Sequence, residues 1–302
     1  MKVLISGASG LIGRALAKEL RSRGHEVRRL VRDSAHDAGA DAGDVGWSPG
    51  APLEAAKLAG FDAIIHLAGR PVATLWTAKA KVEILRSRVK GTATLAEAAA
   101  VAFGLYGRPG TLICSSAIGY YGSRGDEELV EESEAGIGFL AEVCQRWEAA
   151  TQPAAMAGVR VAQMRTALVL SAEGGALARM LPAFRLGLGG RVGSGRQWWS
   201  WVTLADAVRA YVFALEEERV HGPLNLSAPG AVTNGQFTRA LGRALHRPAL
   251  LAVPAALLRA AAGQMAEEML LSSQRVRPKH LLEAGFEFED PELAPALKKM
   301  LA

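Results

Sequence analysis

The apolar positions of this chain alternate between two rhythms. Lys2–Ser6 (KVLIS) is an apolar run ended by glycine, the pattern of a parallel strand covered on both faces. Residues 11–23 then set Leu11, Ala15, Leu16 and Leu20 at helical spacing until Gly24 stops the helix. GHEVRRLV and FDAIIHLAG read as further strands, 77–103 as a long helix, TLICSSA as a strand, 138–157 as a helix and VRVAQMRTALVL as a strand. Strand and helix alternate to about residue 170, which predicts right-handed βαβ units and an α/β fold with a Rossmann doubly wound parallel sheet.

Beyond that point the rhythm changes. A glycine- and tryptophan-rich stretch (GLGGRVGSGRQWWSW) and a Pro/Ala-rich stretch (RPALLAVPAALLRAAAG) interrupt it. The expected division is a main domain over residues 1–170, its sheet completed by parts of 202–228. A smaller, mainly substrate-side C-terminal domain takes 171–302 and includes the segment 248–298.

Composition narrows the function. No window approaches the roughly 18 uninterrupted apolar residues of a membrane span, and the apolar run before the first glycines is too short for a signal peptide. Cys114 and Cys144 form neither a CxxC nor a Cys/His array, which points to a reducing cytoplasm and no metal site. The net charge of +5 is carried by basic residues mixed with acids. Without a basic stripe with interleaved aromatics, a nucleic-acid partner is not expected. The expected partner is a small molecule, bound by a monomer or homodimer.

GASGLIG lies between the first strand and the first helix. Gly7 allows the tight turn, Gly10 lets backbone approach a pyrophosphate, and Gly13 lets helix and strand pack closely. Ser9, Leu11 and Ile12 complete the loop, whose helix N-terminus offers free N–H groups to an anion. The end of the second strand selects the dinucleotide. Val31 stands where NAD sites carry an acid, and Arg32 follows. A guanidinium pairs with a 2′-phosphate that a carboxylate would repel, so NADP(H) is expected in preference to NAD(H). Asp33 is the alternative ribose ligand.

These residues resemble the extended short-chain dehydrogenase/reductases, the epimerase-like group. IIHLAG matches a strand motif whose backbone at Leu67, Ala68 and Gly69 would run along the cofactor, and SSAIGYYG matches the strand carrying the catalytic hydroxyl. RTALVLSAEGGAL, GLGGRVGSGRQWWSWV, GPLNLSAPGAVTNGQF and QRVRPKHLLEAGFEFEDPEL narrow the resemblance to an atypical epimerase-like family often labelled "cell division inhibitor" or "nucleoside-diphosphate-sugar epimerase".

The resemblance implies a tyrosine general acid/base and a lysine four residues on. Here the aligned positions hold Leu140 and Cys144, and no lysine occurs between Lys90 and Lys279. Arg88 replaces an asparagine that supports the lysine, and Thr203 a common histidine. Ser116, with Ser115 behind it, fits the hydroxyl position. Tyr120 or Tyr121 is the substitute acid, with Arg165 or Arg88 as the cation it would need to act as a base. Arg165 and Ser115 are also candidate cofactor contacts. Cys144 reads as a small buried hydrophobe, and the acids of EESE as a helix cap or solvated face. Arg191, Arg196, Trp198 and Trp199 are the candidate substrate contacts, pairing with phosphate or carboxylate and stacking. The implied activity is an NADP(H)-dependent, epimerase-like oxidoreductase; the alternative is an NADP(H)-binding sensor without turnover.

Overall fold

The computed structural model describes residues 1–33, 43–105 and 110–302. Their apolar runs build a seven-stranded sheet, β1 (Lys2–Ser6), β2 (Glu26–Arg32), β3 (Val45–Trp47), β4 (Ala63–His66), β5 (Thr111–Ala117), β6 (Arg160–Thr166) and β7 (Gly222–Leu226). The spatial order is β3-β2-β1-β4-β5-β6-β7 and every pairing is parallel. Adjacent residues of β1 serve opposite faces. Val3 and Ile5 join the layer of Leu16 and Leu20, on α1 (Leu11–Ser22), whereas Leu4 joins that of Leu95, on α2 (Ala78–Ala99). Such double coverage is why the strand is apolar throughout. The α1 layer also takes Ala207 and Tyr211 from a later helix, Leu204–Glu216.

On the α2 side lies α3 (Phe139–Ala149), tied to α2 by the Trp147 indole N–H donating to Thr92 Oγ1 at 2.9 Å. The helix expected over 138–157 is two: α3 ends at Ala149, and Gln152–Met156 starts anew with Pro153 in its first turn, where a missing N–H costs nothing.

The single strand expected across VRVAQMRTALVL also divides. Ala167 N makes a last bond to Leu226 O at 3.0 Å; Leu168 N then turns to Ser200 O, and Leu168–Leu170 pairs with Trp201–Thr203. The chain thereby enters a second apolar cluster containing Leu170, Leu177, Phe184, Trp201, Phe237 and Leu297. Among the described residues no helix is long and apolar enough to cross a membrane.

Candidate functional site

The glycine loop, β4, β5 and the segment after β6 meet at one cleft of about 350 Å³. Gly7, Gly10, Leu11, Ile12, Gly13, Leu67 and Ser115 all line it. Its glycines are dictated by backbone proximity. A Cβ at Gly13 would lie 2.2 Å from Gly7 O, and one at Gly7, whose φ is +70°, would lie 2.8 Å from Ala68 N. The loop is thus pressed against the very backbone that follows β4. Gly10 caps α1 without a side-chain acceptor, so the helix N-terminus is left to backbone groups and a ligand. Ser9 is exposed at the loop's tip, and its carbonyl accepts from Arg14 Nη1 at 2.8 Å.

At the end of β2, Arg32 is exposed, and its side chain makes no hydrogen bond or ion pair among the described residues. Asp33 is engaged: Ser48 Oγ donates to its Oδ2 at 3.0 Å. Among the described residues the Arg32 guanidinium is thus unpaired where the Asp33 carboxylate is tethered.

The candidate catalytic hydroxyls part company. Ser116 is 3 % exposed and donates to Glu148 Oε1 at 2.6 Å. Glu148 also receives Arg165 twice, Nε to Oε1 and Nη2 to Oε2, both at 2.9 Å. Arg165 Nη1 donates to the Tyr121 hydroxyl at 3.0 Å, and that hydroxyl donates to Asn225 Oδ1 at 2.7 Å. Burial pushes the Tyr121 phenol up to about 12, against the opposing charge of Arg165. Burial pulls the Arg165 guanidinium down, but the Glu148 carboxylate more than offsets it, and Arg165 is held more firmly protonated than usual. Ser116, Tyr121 and Arg165 thus form one buried network, and none of them lines the glycine cleft. Ser115 does line it, with its hydroxyl 2.8 Å from that of Tyr211.

Tyr120 differs. It is partly buried, its hydroxyl has no hydrogen-bond partner among the described residues, and the Arg165 guanidinium lies 3.6 Å from its ring centroid. Leu140 and Cys144 occupy α3, and burial raises the Cys144 thiol to about 12, which leaves it protonated and unreactive at neutral pH.

Residues 3–226 match the model of the NAD dependent epimerase/dehydratase family. The chain belongs to that family. Residues 253–300 match a further model described as a domain of unknown function, DUF1731. An epimerase family protein of Mycobacterium bovis is 44% identical over 98% of this chain and 96% of its own length. The crystal structure of the human epimerase family protein SDR39U1 with NADPH superposes with a TM-score of 0.86 at 33% identity, covering 100% of this chain and 99% of that one. A nucleoside-diphosphate sugar epimerase from Corynebacterium glutamicum gives a TM-score of 0.79 at 37% identity, with 100% of this chain matched to 58% of that chain.

Within this member of the epimerase/dehydratase family, the arginine–tryptophan loop lies apart from the glycine cleft. Trp199 packs on Phe237 at 5.4 Å, against the second apolar cluster. The Trp198 indole N–H donates to Asp126 Oδ1 at 2.7 Å, under the guanidinium of Arg275. Arg191 and Arg196 are exposed and pair with no carboxylate among the described residues. None of the four lines the cleft.

Sequence reading passed over the cleft's far wall, Ala167, Leu168, Val169, Gly175 and Ala176. Its signal was the Gly174–Gly175 pair opening the helix Gly175–Arg185: a Cβ at either glycine would lie 3.3 to 3.4 Å from Leu11 of the first loop. It also passed over Glu148 and Asn225 as partners of Ser116 and Tyr121.

Proposed function

We propose that this chain binds NADP(H) in the glycine cleft and acts as an epimerase-like oxidoreductase on a small carbonyl or nucleotide-sugar type substrate, without a Tyr–Lys dyad. The observation that carries the reading is the end of β2, where the exposed Arg32 has no partner among the described residues and can meet a 2′-phosphate, while Asp33 is tethered to Ser48. The cradle fits the group: Gly10 caps α1 with no side-chain acceptor, so the N–H groups of the helix N-terminus that borders the cleft are left for a pyrophosphate. The NADPH in the human relative's crystal structure supports the same choice.

NADP(H), when bound, supplies a hydride donor or acceptor. The protein's part is to orient the substrate oxygen and hold a proton near it. Tyr120 suits the second task, since its hydroxyl is the one among the three proposed that no described residue engages. Arg165 is paired with Glu148 and gives that phenol limited help as a base, so donation to a carbonyl being reduced is favoured over oxidation of an alcohol. Arg191, Arg196, Trp198 and Trp199 are proposed to meet the substrate only if their loop closes toward the cleft. The two cysteines, buried and free, agree with a reducing compartment such as the cytoplasm.

The second reading, a cofactor-responsive protein without turnover, is favoured by the engagement of Ser116 and Tyr121 in the buried network. An NADPH oxidation screen against carbonyls and nucleotide-sugars separates the two. Turnover that Tyr120→Phe abolishes supports the enzyme; tight NADPH binding with no turnover on any class supports the sensor.

A further inference from the structure

Arg88 is a cation with no counter-charge among the described residues. It lies on α2, partly buried, and forms no ion pair among the described residues. Nη1 donates to Arg70 O at 2.9 Å and Ile84 O at 3.2 Å, whereas Nε and Nη2 donate to no described residue. The guanidinium lies 5.0 Å from the ring centroid of Trp147 on α3. Its outer edge borders Gly69, where a Cβ would lie 3.4 Å from Cζ and 3.5 Å from Nη2.

Burial lowers its proton affinity, and its charge is felt at two groups beside it: His66, which it helps to keep neutral, and Cys144. A partly desolvated guanidinium with three unused N–H bonds is costly to maintain. Two carbonyl contacts through one nitrogen do not offset that cost.

The sheet order says which part of a dinucleotide would meet it. The glycine loop follows β1. The adenosine half runs over β2, toward Arg32, so the other half runs over β4 and β5. Arg88 stands near the end of β4, beside Gly69, and within electrostatic reach of Cys144, the position where the resemblance places the family's lysine.

We propose that Arg88 holds the ribose hydroxyls on the nicotinamide side of the dinucleotide, supplying from α2 the cation that α3 lacks. This rests on the NADP(H) reading above. Arg88 is then a cofactor-binding residue, and its planar fork suits two vicinal hydroxyls.

The test compares two probes on the whole chain: NADPH, and adenosine 2′,5′-bisphosphate, which contains the 2′-phosphate but no nicotinamide ribose. Arg88→Gln is expected to weaken NADPH by about tenfold or more, the scale of a lost charged hydrogen bond, and to leave the bisphosphate unchanged. Equal weakening of both probes would make Arg88 a structural support and overturn the proposal. Unchanged NADPH affinity would overturn it too. Failure of the unsubstituted protein to bind either probe would remove the cofactor reading itself, and this proposal with it. Should Arg88→Gln fail to fold, Arg88→Met keeps the packing on Trp147 and is read by the same ratio.

Discussion

The Ser116 hydroxyl donates to Glu148 Oε1 at 2.6 Å, and neither side chain lines the glycine cleft. The residue that matches the family's catalytic hydroxyl therefore holds β5 to α3. Glu148→Gln removes the charge facing Arg165, which is 3 % exposed, and is expected to cost about 3–5 kcal/mol in denaturant unfolding. Ser116→Ala is expected to cost about 1 kcal/mol and to leave NADPH affinity unchanged. A Ser116→Ala protein of unaltered stability that had lost turnover would return Ser116 to the reacting atoms.

The paired tyrosines should separate cleanly. Tyr121→Phe strips Asn225 Oδ1 of its donor and Arg165 Nη1 of an acceptor, and is expected to lower stability by about 1–3 kcal/mol. Tyr120→Phe removes a hydroxyl with no described partner and is expected to change stability by less than about 0.5 kcal/mol while lowering NADPH-dependent turnover. Thermal unfolding and rate measured on the same preparations decide it; the opposite pattern would exchange their roles.

Arg32→Ala is expected to weaken NADPH by about tenfold or more with NADH little changed, because only the former has the phosphate that a guanidinium pairs with. Equal losses for both dinucleotides would point instead to damage at the end of β2.

Acid stability carries the mark of His66. Its ring is fully buried, with Nδ1 2.6 Å from Ser6 Oγ, and burial, assisted by the Arg88 charge, lowers its pKa from 6.5 to about 4. The unfolded chain then binds the proton more readily than the folded one between those values. The stability that neutral His66 contributes is complete above pH 6.5 and is lost as pH falls toward 4, by at most about 3 kcal/mol. Unfolding measured across that range should be less steep in His66→Gln; an identical slope would assign the acid limb to other groups.

The first strand, glycine loop and helix were legible because their constraints are local. A strand covered on both faces must be apolar, and Gly13 must be glycine when its Cβ would meet Gly7 O at 2.2 Å. The place of Arg32 as the last residue of β2 was legible for the same reason. The buried polar network was not. It joins Ser116 of β5, Glu148 of α3, Arg165 of β6 and Asn225 of β7, and its Tyr121–Asn225 bond spans 104 residues. Each of these polar residues has many possible partners until the sheet order is known. The break at Ala167 was hidden for a related reason: no Gly or Pro marks the turn in RTALVL, and only the competing partners Leu226 and Ser200 divide it. β3 has just three residues and gives little pattern to read.

The central claim is that the glycine cleft and Arg32 select NADP(H). Titrating the purified chain with NADPH and with NADH, followed by tryptophan-to-nicotinamide energy transfer, tests it most directly. NADPH binding tighter by about tenfold or more, with the preference erased in Arg32→Ala, is the predicted result. Binding of neither dinucleotide, or a preference for NADH, would contradict it.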